Sequence, residues 1–135
     1  MADITVTAAR VAPIFPKDAE IYDMIAAETL TAGQPVYIDA TTGKVKYADA
    51  NDAARDELHG IALNGARAGQ AVAVLKRGHV YGYTLAGNYG SKAYVSDTAG
   101  VLADAAGTAS LPVGIVVPLS DASISKALYV DVAWR

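Results

Sequence analysis

The sequence predicts an all-β fold: a small β-barrel or β-sandwich with internally duplicated hairpin units and an extended N-terminal arm. Three observations predict it. Short runs rich in Val, Ile and Tyr recur between turns that carry Gly, the pattern of strands joined by tight turns. A block in the first half of the chain returns in the second. At the C-terminal end, Leu128, Val130, Val132 and Trp134 alternate with Tyr129, Asp131, Ala133 and Arg135, the period-2 pattern of a half-buried strand.

The repeat spans residues 33–63 and 90–117 and is carried by special positions. The first copy opens on Gly33, Tyr37 and Gly43 and closes on Gly60-Ile61; the second opens on Gly90, Tyr94 and Gly100 and closes on Gly114-Ile115. The opening positions superpose without gaps, and three residues drop out before the second closing pair. Each opening block is a β-rich run followed by a turn whose last residue is Gly, which takes the left-handed conformation that sends the chain back antiparallel. The closing Gly-Ile pairs predict compact apolar strands, with Gly marking a bulge or a close backbone approach.

The remaining elements follow in order. Residues 1–19 are expected as an extended arm: residues 3–7 alternate like a strand, and Pro13 and Pro16 keep residues 11–15 out of a central sheet. Residues 18–27 place Ile21, Met24 and Ile25 on one helical face, but are expected as strand or extended chain leading to the turn at Gly33. Residues 49–58 lack β-branched side chains and predict a short surface helix or a loop. Residues 70–76 and 79–85 predict two strands separated at Arg77-Gly78, with Tyr81, Tyr83 and Leu85 sharing a face. The chain divides into the arm, 1–19, and one β domain, 20–135.

Composition narrows the function classes. The 135 residues are 53% apolar and 19% charged, a globular balance that supports one core. With no Cys, disulfides, thiolate nucleophiles and thiolate metal sites are excluded. The net charge is −3, with Lys and Arg scattered, so no basic footprint for a phosphate backbone exists and nucleic acid is not an expected partner. No apolar run approaches the roughly 18 residues that span a bilayer, and Met1 to Arg10 lack a charged and then apolar leader; a soluble protein made in a cytoplasm, without membrane contact, is expected.

No catalytic constellation is visible. His59 falls where the second copy has Val113, so it reads as a structural position, and His79 follows Gly78 and reads as solvated. The three glycines of residues 60–69 lack the Lys-Ser/Thr and the helix of a phosphate loop. Asp39, Asp49, Asp52, Asp56 and Glu57 lack the spacing of a calcium loop and read as turn carboxylates. No catalytic residue, metal or cofactor is assigned, and no enzyme is expected. Tyr37 and Tyr94 occupy equivalent positions and read as packing residues, whereas Tyr81 with Tyr83 is the one pair that could form an aromatic platform for a glycan.

The order of signals resembles a known family. Ala32-Gly33-Gln34-Pro35-Val36, then Gly60-Ile61-Ala62, Ala68-Gly69-Gln70-Ala71-Val72, Gly78-His79-Val80-Tyr81, Gly90 with Ala93-Tyr94-Val95, Val113-Gly114-Ile115 and a final Val130-Asp131-Val132 resemble the capsid decoration (cement) proteins of tailed bacteriophages. The resemblance covers most of the chain from about residue 20. It implies a β-barrel or sandwich that binds the outer surface of an expanded icosahedral capsid, commonly as a homotrimer, with the major capsid protein as partner and the virion as location. An acidic chain suits the outside of a shell better than its DNA-filled interior. The expected contact residues lie on the arm: Ile4, Val6, Val11, Ile14 and Phe15. The alternative is a glycan- or receptor-binding module of a head fibre or tail adhesin, using Tyr81 and Tyr83.

Overall fold

The computed structural model describes residues 2–121 and 124–134. Among them the regular structure is β, with single 3₁₀ turns at Ala8–Arg10 and Pro16–Asp18 and no α-helix. The strands are β1 (Asp3–Ile4), β2 (Ala12–Pro13), β3 (Glu20–Ile25), β4 (Pro35–Ile38), β5 (Val45–Tyr47), β6 (Gly60–Ala62), β7 (Ala71–Tyr81), β8 (Lys92–Val95), β9 (Leu102–Ala103), β10 (Pro112–Asp121) and β11 (Ile124–Asp131). All eleven belong to one antiparallel sheet, whose main path runs β1-β9-β8-β10-β11-β7-β6-β4-β5. The path is open, so the all-β expectation holds while the sheet does not close into a barrel by strand pairing.

The sheet turns on β7. Leu75 pairs with both Ile21 of β3 and Ile61 of β6, and Val80 pairs with both Pro13 of β2 and Leu128 of β11. A strand has two edges, so β2 and β3 follow each other along one edge, and β6 and β11 abut end to end on the other. The sequence predicts two strands broken at Arg77-Gly78; the structure has one continuous strand. Gly78 is not a turn but a crossing point: its φ is +142°, and a Cβ there would lie 2.8 Å from the Ala19 methyl. Arg77 on the same site binds Glu20 of β3 and Asp131 of β11, tying the flanking strands together.

Two units therefore share β7, and they pair in the same register. Shifting by 57 residues takes the pairs Tyr37↔Lys46 and Ile38↔Val45 of the β4–β5 hairpin to Tyr94↔Ala103 and Val95↔Leu102 of β8–β9. A shift of 54 takes Ile61↔Leu75 and Ala62↔Val74 to Ile115↔Tyr129 and Val116↔Leu128. The pair Ile21↔Leu75 of β3 matches His79↔Tyr129, so the second half of β7 serves the second unit as β3 serves the first. Both turn glycines are left-handed, Gly43 at φ +71° and Gly100 at +69°, where a side chain would be strained. Gly60 and Gly114 are close approaches, as their Cβ atoms would overlap Val74 and the Tyr129 carbonyl respectively.

Apolar packing separates into two cores. Val36, Val45, Val72 and Val74 fill the first unit. The larger core joins Val80, Leu102, Val113, Leu128 and Val130 of the second unit to Tyr37, Ile61 and Leu75 of the first. Each buried Val, Leu or Ile contributes roughly 1.5–3 kcal/mol, so this shared core holds the two units as one body.

Several expectations are refined. Within residues 18–27 the strand β3 forms over Glu20–Ile25, as expected, with Asp18 closing a 3₁₀ turn before it, and residues 49–58 form turns without helix. The C-terminal strand begins earlier than its alternation suggests, at Ile124, and ends at Asp131, with Val132 and Trp134 beyond it; Arg135 lies outside the described residues. The arm is not free. Asp3 and Ile4 pair with Ala103 and Leu102, Val6 bridges Tyr83, and Pro13 pairs with Val80. The prolines do confine residues 11–15 to two paired positions on an outer edge.

Candidate functional site

The most distinctive surface is the outer face of the second unit. Residues directly opposite each other across strands share a face, so His79 of β7, Tyr129 of β11, Ile115 of β10 and Lys92 of β8 form a row across four strands. Phe15 extends it: its ring meets His79 edge-on at 5.1 Å, and His79 lies 4.9 Å from Tyr129. Phe15 is 45% exposed and Ile115 37%.

The equivalent row of the first unit has the opposite fate. Ile21, Leu75, Ile61 and Pro35 correspond by register to His79, Tyr129, Ile115 and Lys92. Leu75 and Ile61 are fully buried in the shared core, Pro35 is buried beside them, and Ile21 packs against that core. The molecule thus carries two rows in equivalent register, one covered by its own chain and one facing outward.

A second exposed cluster lies at the other unit. Tyr22 of β3 stacks on Trp134 at 4.8 Å, and Lys76 sits over the indole ring. Trp134 Nε1 donates to the His59 carbonyl at 2.7 Å, which fixes the ring after the strand has ended.

Of the five arm residues expected to make contacts, the fold brings Ile14 and Phe15 to the surface row and directs the others inward. Ile4 and Val11 pack against the shared core. Val6 crowds Gly33, where a Cβ would collide with its methyl group. Ile14 is held by its N–H donating to the His79 carbonyl at 3.0 Å and shares a shallow hollow with Phe15, Pro16, Lys17 and Asp18. Asp3 locks the arm through Ser96 and Thr98, whose hydroxyls donate to its two carboxylate oxygens.

The Tyr81 and Tyr83 platform is not presented as two open rings. Arg10 lies over Tyr81 and donates to its hydroxyl. Tyr83 packs against the shared core, and its hydroxyl donates to the Gly33 carbonyl at 2.6 Å; burial pushes its pKa up, keeping the proton that this bond needs. His79, expected in solvent, is half-buried between Phe15 and Tyr129.

The carboxylates mostly organise backbone. Asp39, Asp49 and Asp52 accept from the N–H two residues on, at Thr41, Asn51 and Ala54, the Asx-turn use of a short acidic side chain. Glu28 does more than sequence spacing suggests. It accepts two bonds from Arg55 at 2.8 and 3.0 Å and one from the Tyr47 N–H at 3.1 Å, while Arg55 stacks on the Tyr47 ring at 4.1 Å. The pair caps the outer edge of β5. Among the described residues no group of three or more His, Asp or Glu could hold a metal ion. In comparisons with known proteins, no family model matches this chain and no curated protein does.

Proposed function

We propose that this is a non-catalytic structural protein that binds the outer surface of an expanded tailed-phage capsid and stabilises it, acting as a homotrimer on the major capsid protein. The observation that carries the reading is the outward-facing row Phe15, His79, Tyr129 and Ile115, whose counterpart in the first unit is buried in the chain's own core. A half-aromatic face at the register of that buried row suits a second protein surface better than a small molecule. The order of Gly and small apolar motifs resembles that of the decoration family, and the acidic balance of −3 suits the exterior of a shell.

The mechanism is linkage. A protein that binds only the expanded lattice stabilises it in proportion to the logarithm of its concentration over its dissociation constant. Trimerisation adds avidity, so each site can be weak. Ile14 and Phe15 are the arm residues in the contact; Ile4, Val6 and Val11 support it from inside.

Co-sedimentation with capsids of the parent phage tests this. The protein binds expanded shells and not compact procapsids, and the double variant Phe15→Ser, Ile115→Ser keeps its circular dichroism while binding at least about tenfold more weakly. Equal binding to both shell forms removes the maturation-specific reading, and absence from all shells with retention on a glycan array replaces it with an adhesin.

A further inference from the structure

His59 occupies a place that the second unit fills with backbone. In the second unit the Val95 N–H donates to the Leu111 carbonyl at 3.0 Å. The matching N–H of the first unit, Ile38, donates instead to Nδ1 of the His59 ring, also at 3.0 Å. The 54-residue shift puts Glu57 at the place of Leu111, and in the first unit the ring of His59, two residues on, accepts the bond in the place of that carbonyl.

The same residue makes two further hydrogen bonds and one ring contact. Its N–H donates to the Val36 carbonyl at 2.8 Å, its carbonyl accepts the Trp134 indole N–H at 2.7 Å, and its ring meets the Trp134 ring edge-on at 6.3 Å. His59 therefore joins β4, the entry to β6 and the C-terminal segment. Trp134 in turn rests on Tyr22 of the edge strand β3.

We propose that His59 is a pH-sensitive latch whose protonation at Nδ1 removes the acceptor for the Ile38 N–H and releases the C-terminal Trp134 from the β3 edge. An imidazole accepts at Nδ1 only while that nitrogen is unprotonated, so the bond exists in the neutral, Nε2–H form alone. Once protonated, the ring turns two donors toward each other across 3.0 Å, and the segment has to move. Burial holds the His59 pKa below its ordinary 6.5, opposed by the Glu57 carboxylate on the same segment. Around it, Lys76 of β7 lies 5.4 Å from the Trp134 ring centroid and is paired with Glu20 of β3. The latch is closed at neutral pH and opens as pH falls below the ordinary histidine range. The inference is independent of the capsid reading, because it concerns the isolated chain.

Trp134 is the sole tryptophan, so it reports directly. Intrinsic fluorescence and amide exchange at Ile38, corrected for intrinsic rates, are followed from pH 7.5 to 4.5 in the intact protein. The expected result is a red shift of Trp134 emission together with a loss of Ile38 protection that approaches about tenfold per pH unit between the ordinary histidine value of the open form and the lowered titration of the closed one, and then levels off. His59→Asn keeps an acceptor close to the Nδ1 position without titrating there, and removes the pH dependence of both signals. His59→Val, the residue of the second unit, leaves Ile38 unprotected at every pH. Retained Ile38 protection while His59 visibly titrates by NMR overturns the proposal, as does an unchanged pH response in His59→Asn.

Discussion

Single residues set the tolerances of this fold. Gly114 is the tightest: a methyl group there overlaps the Tyr129 carbonyl in the neighbouring strand, and a backbone atom cannot rotate away. Gly114→Ala is expected to lower unfolding free energy by roughly 3 kcal/mol in urea titration. Gly43→Ala faces open space but keeps the left-handed φ, so its loss is nearer 1 kcal/mol. Glu28 supplies a pH signature. Burial alone would raise its pKa, but the Arg55 bonds, the Tyr47 N–H and the charges of Arg55 and Lys46 bring it below the ordinary 4.5. A carboxylate with a depressed folded pKa stabilises above its unfolded value, and that contribution disappears as pH falls through the folded one. The Glu28→Gln variant should therefore lose stability relative to wild type at pH 7, by about 1 kcal/mol for this partly solvated pair, and the gap should narrow below pH 4 in parallel thermal melts.

Elements act through what they cover. The first strand is short, yet Asp3 fastens Ser96 and Thr98 while Val6 bridges Tyr83, so residues 2–7 join β9 to the chain that follows β7. Their equivalents in the first unit need no insert, because Ala26 reaches Val45 directly in a parallel bridge. Deleting residues 2–7 is expected to shift the urea midpoint downward by an amount worth on the order of 3 kcal/mol, with far-UV circular dichroism preserved below the transition. An unchanged midpoint would mean the segment is a passenger on the surface. The β3 edge is the other element with external potential: Tyr22 with the stacked Trp134 makes one face aromatic, and Asp23 is an exposed charge of the kind that keeps such edges from pairing indiscriminately.

At the scale of the molecule, the shared strand and the shared core make the units inseparable. Residues of both units contribute to one buried cluster, and β7 belongs to both halves of the sheet. Unfolding should therefore be a single transition. Trp134 fluorescence, read at the edge of the first unit, and far-UV circular dichroism, read over the whole sheet, are expected to give coincident urea midpoints. Separate midpoints would show that the two units melt independently. The same architecture leaves one apolar row covered and its counterpart exposed, which is the asymmetry that the capsid-binding proposal uses.

Much of this was legible from residue order alone. The all-β class, the two hairpins with their turn glycines and the close approaches at Gly60 and Gly114 follow from local rules of period, turn chemistry and side-chain size, which act over a few residues. What the local rules missed was set at long range. Arg77-Gly78 reads as a turn until Ala19 is seen to cross there; His79 reads as solvated until Phe15 and Tyr129 close on it; Ile4 and Val11 read as free contact residues until the core takes them. Tertiary structure alone decided which of two like faces is buried, because periodicity specifies that a strand has an apolar side but not which surface, in this chain or another, will cover it.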